Sequence, residues 1–220
     1  MGAETRPLFV MDTKQAYDTW SQQYDTNINR TRDLEAQALR AGLANVSFDA
    51  CLEIGCGTGK NTVWLMEKAR HITAVDLSDN MLAKAKEKID SSRVVFTQAD
   101  ITKPWSFRDR LYDLVSFSLV LEHIGDIDPV FGEASRSLNS GGYMYIGELH
   151  PFKQYTGTKA RFDTEEGRQV VDCFTHNISD FIQAARKHGM VLLDANEYFD
   201  DNDRTEIPRI LALLFKKAGA

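Results

Sequence analysis

The stretch that decides the fold is Leu52-Glu53-Ile54-Gly55-Cys56-Gly57-Thr58-Gly59-Lys60-Asn61-Thr62. An apolar run enters three alternate glycines, and a segment of helical pattern leaves them. Glycine lets a chain turn sharply and brings bare backbone against a ligand. The spacing rejects a phosphate-binding P-loop, which needs two glycines separated by four residues and then Lys-Ser/Thr. It also fits a dinucleotide fingerprint poorly. That motif, begun at Gly55, wants its third glycine where Lys60 stands, and a lysine there obstructs the approach of helix to strand.

Outward from this loop, strands and helices alternate. "DACLEI" reads as a short buried strand, "NTVWLMEKA" as a helix, "HITAVDL" as a strand, and "NMLAKAKEKI" as a helix capped by Ser78. "RVVFTQA" and "YDLVSFSLV" continue as strands. Asp128-Pro129 opens the helix "VFGEASRSL", and Asn139-Ser140-Gly141-Gly142 turns the chain into the strand "YMYIGEL". Ser179 is expected to cap "DFIQAARKH", with Gly189 ending it. The strands "MVLLDANEY" and "RILALLFKK" close the chain. Before the loop, residues 12–23 and 32–44 are helical in pattern, with Leu34, Ala38 and Ala41 on one face. The first ten residues read as loosely ordered. The alternation implies an α/β fold: a Rossmann-like, mostly parallel seven-stranded sheet with helices on both faces.

Ligands in such sheets bind beyond the carboxyl ends of the strands, where strand order reverses. Two carboxylates fall there. Asp76 ends the second strand, where an acid can accept both hydroxyls of a ribose. Asp100 ends the third, where it can accept from an exocyclic adenine amine. Either one alone is also an ordinary turn or cap residue. A glycine loop and two acids at the ends of successive strands point to one ligand.

The stretches "LEIGCGTGKNT", "AVDLSDNML", "TQADI", "YDLVSFSLVLEHI" and "LNSGGYMYIGE" resemble, in order and spacing, the five motifs of class I S-adenosylmethionine-dependent methyltransferases. The resemblance covers residues 12 to 217. "AYDTWSQQYD" is similar to the N-terminal stretch of the ubiquinone/menaquinone-methyltransferase-like and BioC-like branch. The resemblance implies S-adenosyl-L-methionine as cofactor and S-adenosyl-L-homocysteine as product. Gly55, Cys56, Gly57 and Gly59 would line the amino-acid part. Asp76 would hold the ribose, with Leu77 and Met81 flanking the adenine. Asp100 and Ile101 would grip its edge, and Ser118 and Leu119 would contact the methionine portion. Tyr17, Trp20 and Tyr24 would belong to an N-terminal helical cover, packed into the core or facing the site, with Tyr24 facing the ligand. It also implies an antiparallel last strand. The expected organisation is one domain over 1–220: cover 1–45, cofactor-binding core 46–149, substrate lid 150–178, and a C-terminal helix and strands 179–217.

Methyl transfer is an in-line displacement, so alignment in a water-excluding site is its main demand. A base is needed only where the acceptor carries a proton. His123 in "LEHI", and His150 with Glu148 in "GELHPF", are the catalytic candidates by position. Each histidine has an alternative in simply fixing backbone. His176 is a further candidate able to return to the pocket, whereas His71 and His188 read as surface or strand-edge residues. Residues 150–176 interrupt the alternation, and Phe152, Tyr155, Phe162 and Phe174 make them too aromatic for disorder. Gln154, Tyr155, Lys159, Arg161 and His176 are candidate substrate contacts. Lys159 and Arg161 either clamp a carboxylate or form a solvated basic face.

Bulk composition bounds the partners. The 220 residues are 43% hydrophobic and 26% charged, with a formal net charge of -6. That balance argues against nucleic acid, and no membrane-spanning or signal stretch is expected. Cys51, Cys56 and Cys173 form no zinc spacing and read as reduced thiols of a cytoplasmic protein. "FDDND" lacks the glycine and terminal glutamate of a calcium loop, and no metal set is expected. The partner is a small-molecule methyl acceptor, and oligomeric state is not legible. The rivals are an NAD(P)-dependent oxidoreductase and a methyltransferase-like binding subunit without turnover.

Overall fold

The computed structural model describes residues 8–26, 28–164 and 167–219, without the side chains of 8–11 and 162–168. The expected disorder of residues 1–7 and the side chain of Phe162 therefore lie outside the described residues. The strands are β1 (Leu8–Met11), β2 (Ala50–Ile54), β3 (His71–Asp76), β4 (Val94–Gln98), β5 (Tyr112–Ser118), β6 (Leu138–Leu149), β7 (Arg161–Thr164), β8 (Gly167–Val171), β9 (Met190–Tyr198) and β10 (Ile210–Lys217). The helices are α1 (Thr13–Trp20), α2 (Arg30–Gly42), α3 (Lys60–Leu65), α4 (Asp79–Lys88), α5 (Asp128–Ser137), α6 (Pro151–Tyr155) and α7 (Ile178–Lys187).

Seven strands form one sheet in the order β4-β3-β2-β5-β6-β10-β9. The pairs from β4 to β6 are parallel, and β10 runs antiparallel to both of its neighbours. The chain winds outward from β2 to β4 and returns on the other side at β5. Strand order therefore reverses between β2 and β5, and a crevice opens beyond their carboxyl ends. Side-chain alternation explains the two-sided burial. In β10, Ile210, Ala212 and Leu214 join one hydrophobic cluster, while Leu211, Leu213 and Phe215 join the other.

Several local expectations are corrected. Leu8–Met11 form a strand, paired in parallel with β8. The expected turn at 139–142 is the start of β6, which begins at Leu138 and slips register opposite Tyr112 and Leu114. Gly141, at φ 76°, absorbs that bulge. Ser179 lies inside α7. The cap is Asn177, in a reciprocal capping box with Asp180. Ile127 occupies the α5 cap position, and Asp128 in the first turn instead accepts from Lys187 (2.7 Å) and His188 (3.1 Å).

The interrupting segment is folded. It contributes α6 and the β7–β8 hairpin, and β1 completes a second sheet in the order β1-β8-β7. Val171 of β8 packs with Ala16, Trp20 and Met81, so this small sheet lies against α1. Asp18 of α1 accepts from Ser78 Oγ at 2.5 Å and through its carbonyl from Asn80 at 3.2 Å. Helix α1 is thereby tied to the start of α4, beside the crevice. No helix among the described residues is long and apolar enough to cross a membrane.

Candidate active site

The glycine loop leaves β2 with Gly55, Gly57 and Gly59 all at positive φ (75°, 53° and 82°). Their reasons differ. A Cβ on Gly55 would stand 2.8 Å from Val120, and one on Gly59 would stand 2.9 Å from Ile89 and 3.3 Å from Ala85. Those two glycines therefore also let neighbouring elements close up. A Cβ on Gly57 would meet nothing nearer than the Tyr24 ring at 4.0 Å. At Gly57 the bare backbone faces open space, a cradle a side chain would fill.

That space is a cavity of about 220 Å³. Gly55, Gly57, Tyr24, Ser118 and Leu119 line it together with Asp76, Leu77, Asp100 and Ile101. Tyr17 and His123 complete its wall. Cys56, Gly59 and Met81 do not line it: Cys56 and Met81 are buried in the packing, and Gly59 caps α3. Asp76 accepts from Gly57 N–H at 2.8 Å through Oδ2 and from Ser78 N–H at 2.9 Å through Oδ1. Burial raises its carboxyl above the usual range, against these hydrogen bonds. Asp100 commits Oδ1 to Thr102 and leaves Oδ2 for a donor.

A second cavity, of about 300 Å³, shares Tyr17, Tyr24 and Leu119 with the first. Leu119 holds φ 54°, a strained conformation for a bulky residue, at this shared wall. Lys159 and Arg161 line the second cavity together with Trp20 and Glu122. The structure does not bring Gln154, Tyr155 or His176 to either cavity. Tyr155 is 65% exposed and donates to Asn177. His176 Nε2 donates to the Ile124 carbonyl at 2.7 Å and fixes that loop.

The catalytic candidates separate clearly. His123 reaches the site: Nε2 lies 2.8 Å from the Tyr17 hydroxyl and Nδ1 lies 2.9 Å from the Asp172 carbonyl. A carbonyl can only accept, so Nδ1 carries the proton and Nε2 accepts from Tyr17. His150 reaches neither cavity. It is fully buried, accepts from Phe152 N–H at the start of α6, and lies 3.0 Å from Glu197. Burial lowers its pKa. Glu148 also lies behind the site, where Oε1 accepts from the N–H groups of Val120 (2.9 Å) and Leu121 (2.8 Å).

Sequence reasoning missed a group of buried acids behind the loop. Glu35, Glu53, Glu122 and Glu148 are each at most 6% exposed. Burial pushes Glu35 up to about 7, and Glu53 and Glu148 up to about 8. The available signal was Glu35 standing one turn from Ala38 and Leu39 on the buried face of α2. A Cβ on Gly147 would lie 2.5 Å from Glu35 Oε1, so that glycine makes room for the carboxylate.

The methyltransferase domain family matches residues 52–146, which hold the loop, both aspartates and β5. An uncharacterised methyltransferase of Emericella nidulans is 26% identical over 94% of this chain and 86% of its own length. A demethylmenaquinone methyltransferase of Leptospira interrogans is 34% identical, over 41% of this chain and 39% of that enzyme. Among solved structures, the N-methyltransferase NodS of Bradyrhizobium japonicum in complex with S-adenosyl-L-homocysteine superposes with TM-score 0.70. It shares 18% identity, over 93% of this chain and 98% of that one. Residues 52–146 form a class I S-adenosylmethionine-dependent methyltransferase domain. Nothing in these comparisons supports an oxidoreductase.

The methyltransferase cavity fits that cofactor on its own geometry. The open face of Gly57 suits a main-chain-like amino-acid tail, Asp76 suits vicinal hydroxyls, and the free Oδ2 of Asp100 suits an amine. Among the described residues no group of three or more His, Cys, Asp or Glu is arranged to hold a metal ion.

Proposed function

We propose that this methyltransferase moves a methyl group from S-adenosylmethionine in the inner cavity to a small molecule in the outer one. The observation that carries the reading is the wall shared by the two cavities, formed by Tyr17, Tyr24 and Leu119. The bound cofactor supplies an electrophilic methyl on a sulfonium. Asp76, Asp100 and Gly57 hold its ends, and the shared wall aligns the acceptor with little water. Where the acceptor carries a proton, Tyr17 and His123 form the path. The Tyr17 oxygen takes that proton as its own passes to His123 Nε2, and the Asp172 carbonyl orients the imidazole. Burial raises the Tyr17 pKa well above its ordinary value, so the phenol stays protonated until the relay operates. In this reading Glu148 is a positioning residue that fixes the loop from Val120 to Leu121.

The expected organisation, a cover over 1–45, a core over 46–149, a lid over 150–178 and a C-terminal part over 179–217, is part of the same proposal. The contact of β8 with α1 supports it. So is a reducing cytoplasmic setting, supported by three free cysteines. The net charge of -6 favours a small acceptor over nucleic acid.

The test is transfer of labelled methyl from S-adenosylmethionine to a panel of small hydroxyl, amine, thiol and carboxyl compounds. Tyr17→Phe and His123→Ala should each lower kcat about 100- to 10,000-fold for a protonated acceptor. Binding of S-adenosylhomocysteine should stay within a few-fold. Wild-type kcat in both variants would overturn the relay. Tight S-adenosylhomocysteine binding without transfer to any compound would favour the non-catalytic subunit.

A further inference from the structure

The outer cavity is charged against the rest of the molecule. The chain carries a net -6, yet this cavity is lined by Arg30, Arg32, Lys159, Arg161 and Arg209 against the single acid Glu122. Three of these cations are engaged. Arg209 forms a bidentate pair with Asp200 (2.6 and 2.5 Å) and donates to Thr31 at 3.1 Å. Arg32 sits over the Tyr24 ring, 4.5 Å from its centroid, and donates to the Tyr24 carbonyl. Arg30 stands 3.9 Å from Asp201.

The side chains of Lys159 and Arg161, both from the segment that interrupts the alternation, have no ion-pair or hydrogen-bond partner among the described residues. Two exposed, unpartnered cations lining one cavity of an acidic protein leave a local excess of positive charge that attracts an anion. On the same wall Glu122 is 6% exposed and its Oε2 has no hydrogen-bond partner, an acceptor awaiting a donor.

We infer that the methyl acceptor is an anionic small molecule, bearing a carboxylate or phosphate that Lys159 and Arg161 hold. Its donor group, a hydroxyl or amine, lies toward Glu122 and the shared wall at Tyr17. Arginine recognises both anions through its planar fork, and lysine adds a mobile charge. The cationic mouth sets the orientation: the anion stays outward, and the opposite end of the molecule meets the methyl. The inference rests on the methyltransferase reading for the place of transfer, while the anion site stands on the cavity alone.

The test is calorimetric titration of the protein, with and without saturating S-adenosylhomocysteine, using malonate, inorganic phosphate and the neutral malonamide. The Lys159→Gln/Arg161→Gln double variant, checked for an unchanged melting curve, is titrated in parallel. Wild type should bind at least one anion, less tightly as salt is raised, and bind malonamide not at all. The double variant should lose at least tenfold in anion affinity and keep its S-adenosylhomocysteine affinity. Tighter malonate would mark a carboxylate acceptor, and tighter phosphate a phosphorylated one. Absence of anion binding, or equal binding by the variant, would overturn the inference. Loss of S-adenosylhomocysteine binding in wild type would count against the methyltransferase reading instead, with the cofactor-free titration still deciding this one.

Discussion

Glu148→Gln should make the protein more stable than wild type at alkaline pH and nearly equal to it in acid. The carboxyl is 2% exposed, accepts two backbone N–H groups through Oε1, and leaves Oε2 without a partner. Burial, with Glu122 nearby, raises it from 4.5 to about 8. The unfolded chain therefore releases this proton near pH 4.5, while the folded chain keeps it until about pH 8. Across that window the folded state binds more protons, so wild-type stability falls as pH rises and levels off above pH 8. At ~1.4 kcal/mol per pH unit, the gap between 4.5 and about 8 sets a ceiling of roughly 5 kcal/mol. The glutamine keeps an oxygen for Val120 and Leu121 and cannot ionise, so it escapes this loss. Urea unfolding of both proteins between pH 5 and 9 should show the variant's advantage growing by at least ~2 kcal/mol. Parallel stability curves across the range would refute a buried, uncharged Glu148.

Asp76→Ala should weaken S-adenosylhomocysteine binding at least tenfold by calorimetry, since hydrogen bonds to a charged group are worth roughly 1.5–3 kcal/mol. Unchanged affinity would show that the ribose lies elsewhere. Gly57→Ala and Gly59→Ala should differ in kind. The first should mainly cost cofactor affinity, with about 1–2 kcal/mol of backbone strain. The second should mainly cost stability, by a few kcal/mol, because its methyl meets Ile89 at 2.9 Å. A thermal melt paired with a cofactor titration on each separates them, and identical behaviour would mean the loop acts as one flexible unit.

The main sheet was legible because its signals are local. Apolar runs such as "DACLEI" and "HITAVDL", each followed by a helical pattern, force crossovers, and crossovers force parallel strands. The inner cavity was legible because Gly57, Asp76 and Asp100 sit at strand ends, where topology alone brings them together. The misses were settled by side-chain partners that composition does not reveal. Ser179 and Asn177 are both good caps by composition, and only the reach of Asp180 back to Asn177 decides between them. His123 and His150 look equivalent beside their strands. One meets Tyr17 from a helix more than a hundred residues earlier, and the other is taken by Glu197 on β9.

The segment from 150 to 178 shows why the outer cavity stayed hidden while the inner one did not. Its strands β7 and β8 are short, and they are completed by β1, from the opposite end of the chain. No period within the segment reports such a pairing. Yet that pairing sets Val171 against Trp20 and brings Lys159 and Arg161 to the cavity beside Tyr17. Gly57, Asp76 and Asp100 of the inner cavity sit on one continuous run from β2 to just past β4, where each residue's place follows from its neighbours. The outer cavity is assembled from α1 and the start of α2, the loop after β5, the ends of β6 and β10, and the stretch leading into β7. Lys159 and Arg161 line the outer cavity alone, so substitution there leaves Gly57, Asp76 and Asp100 undisturbed.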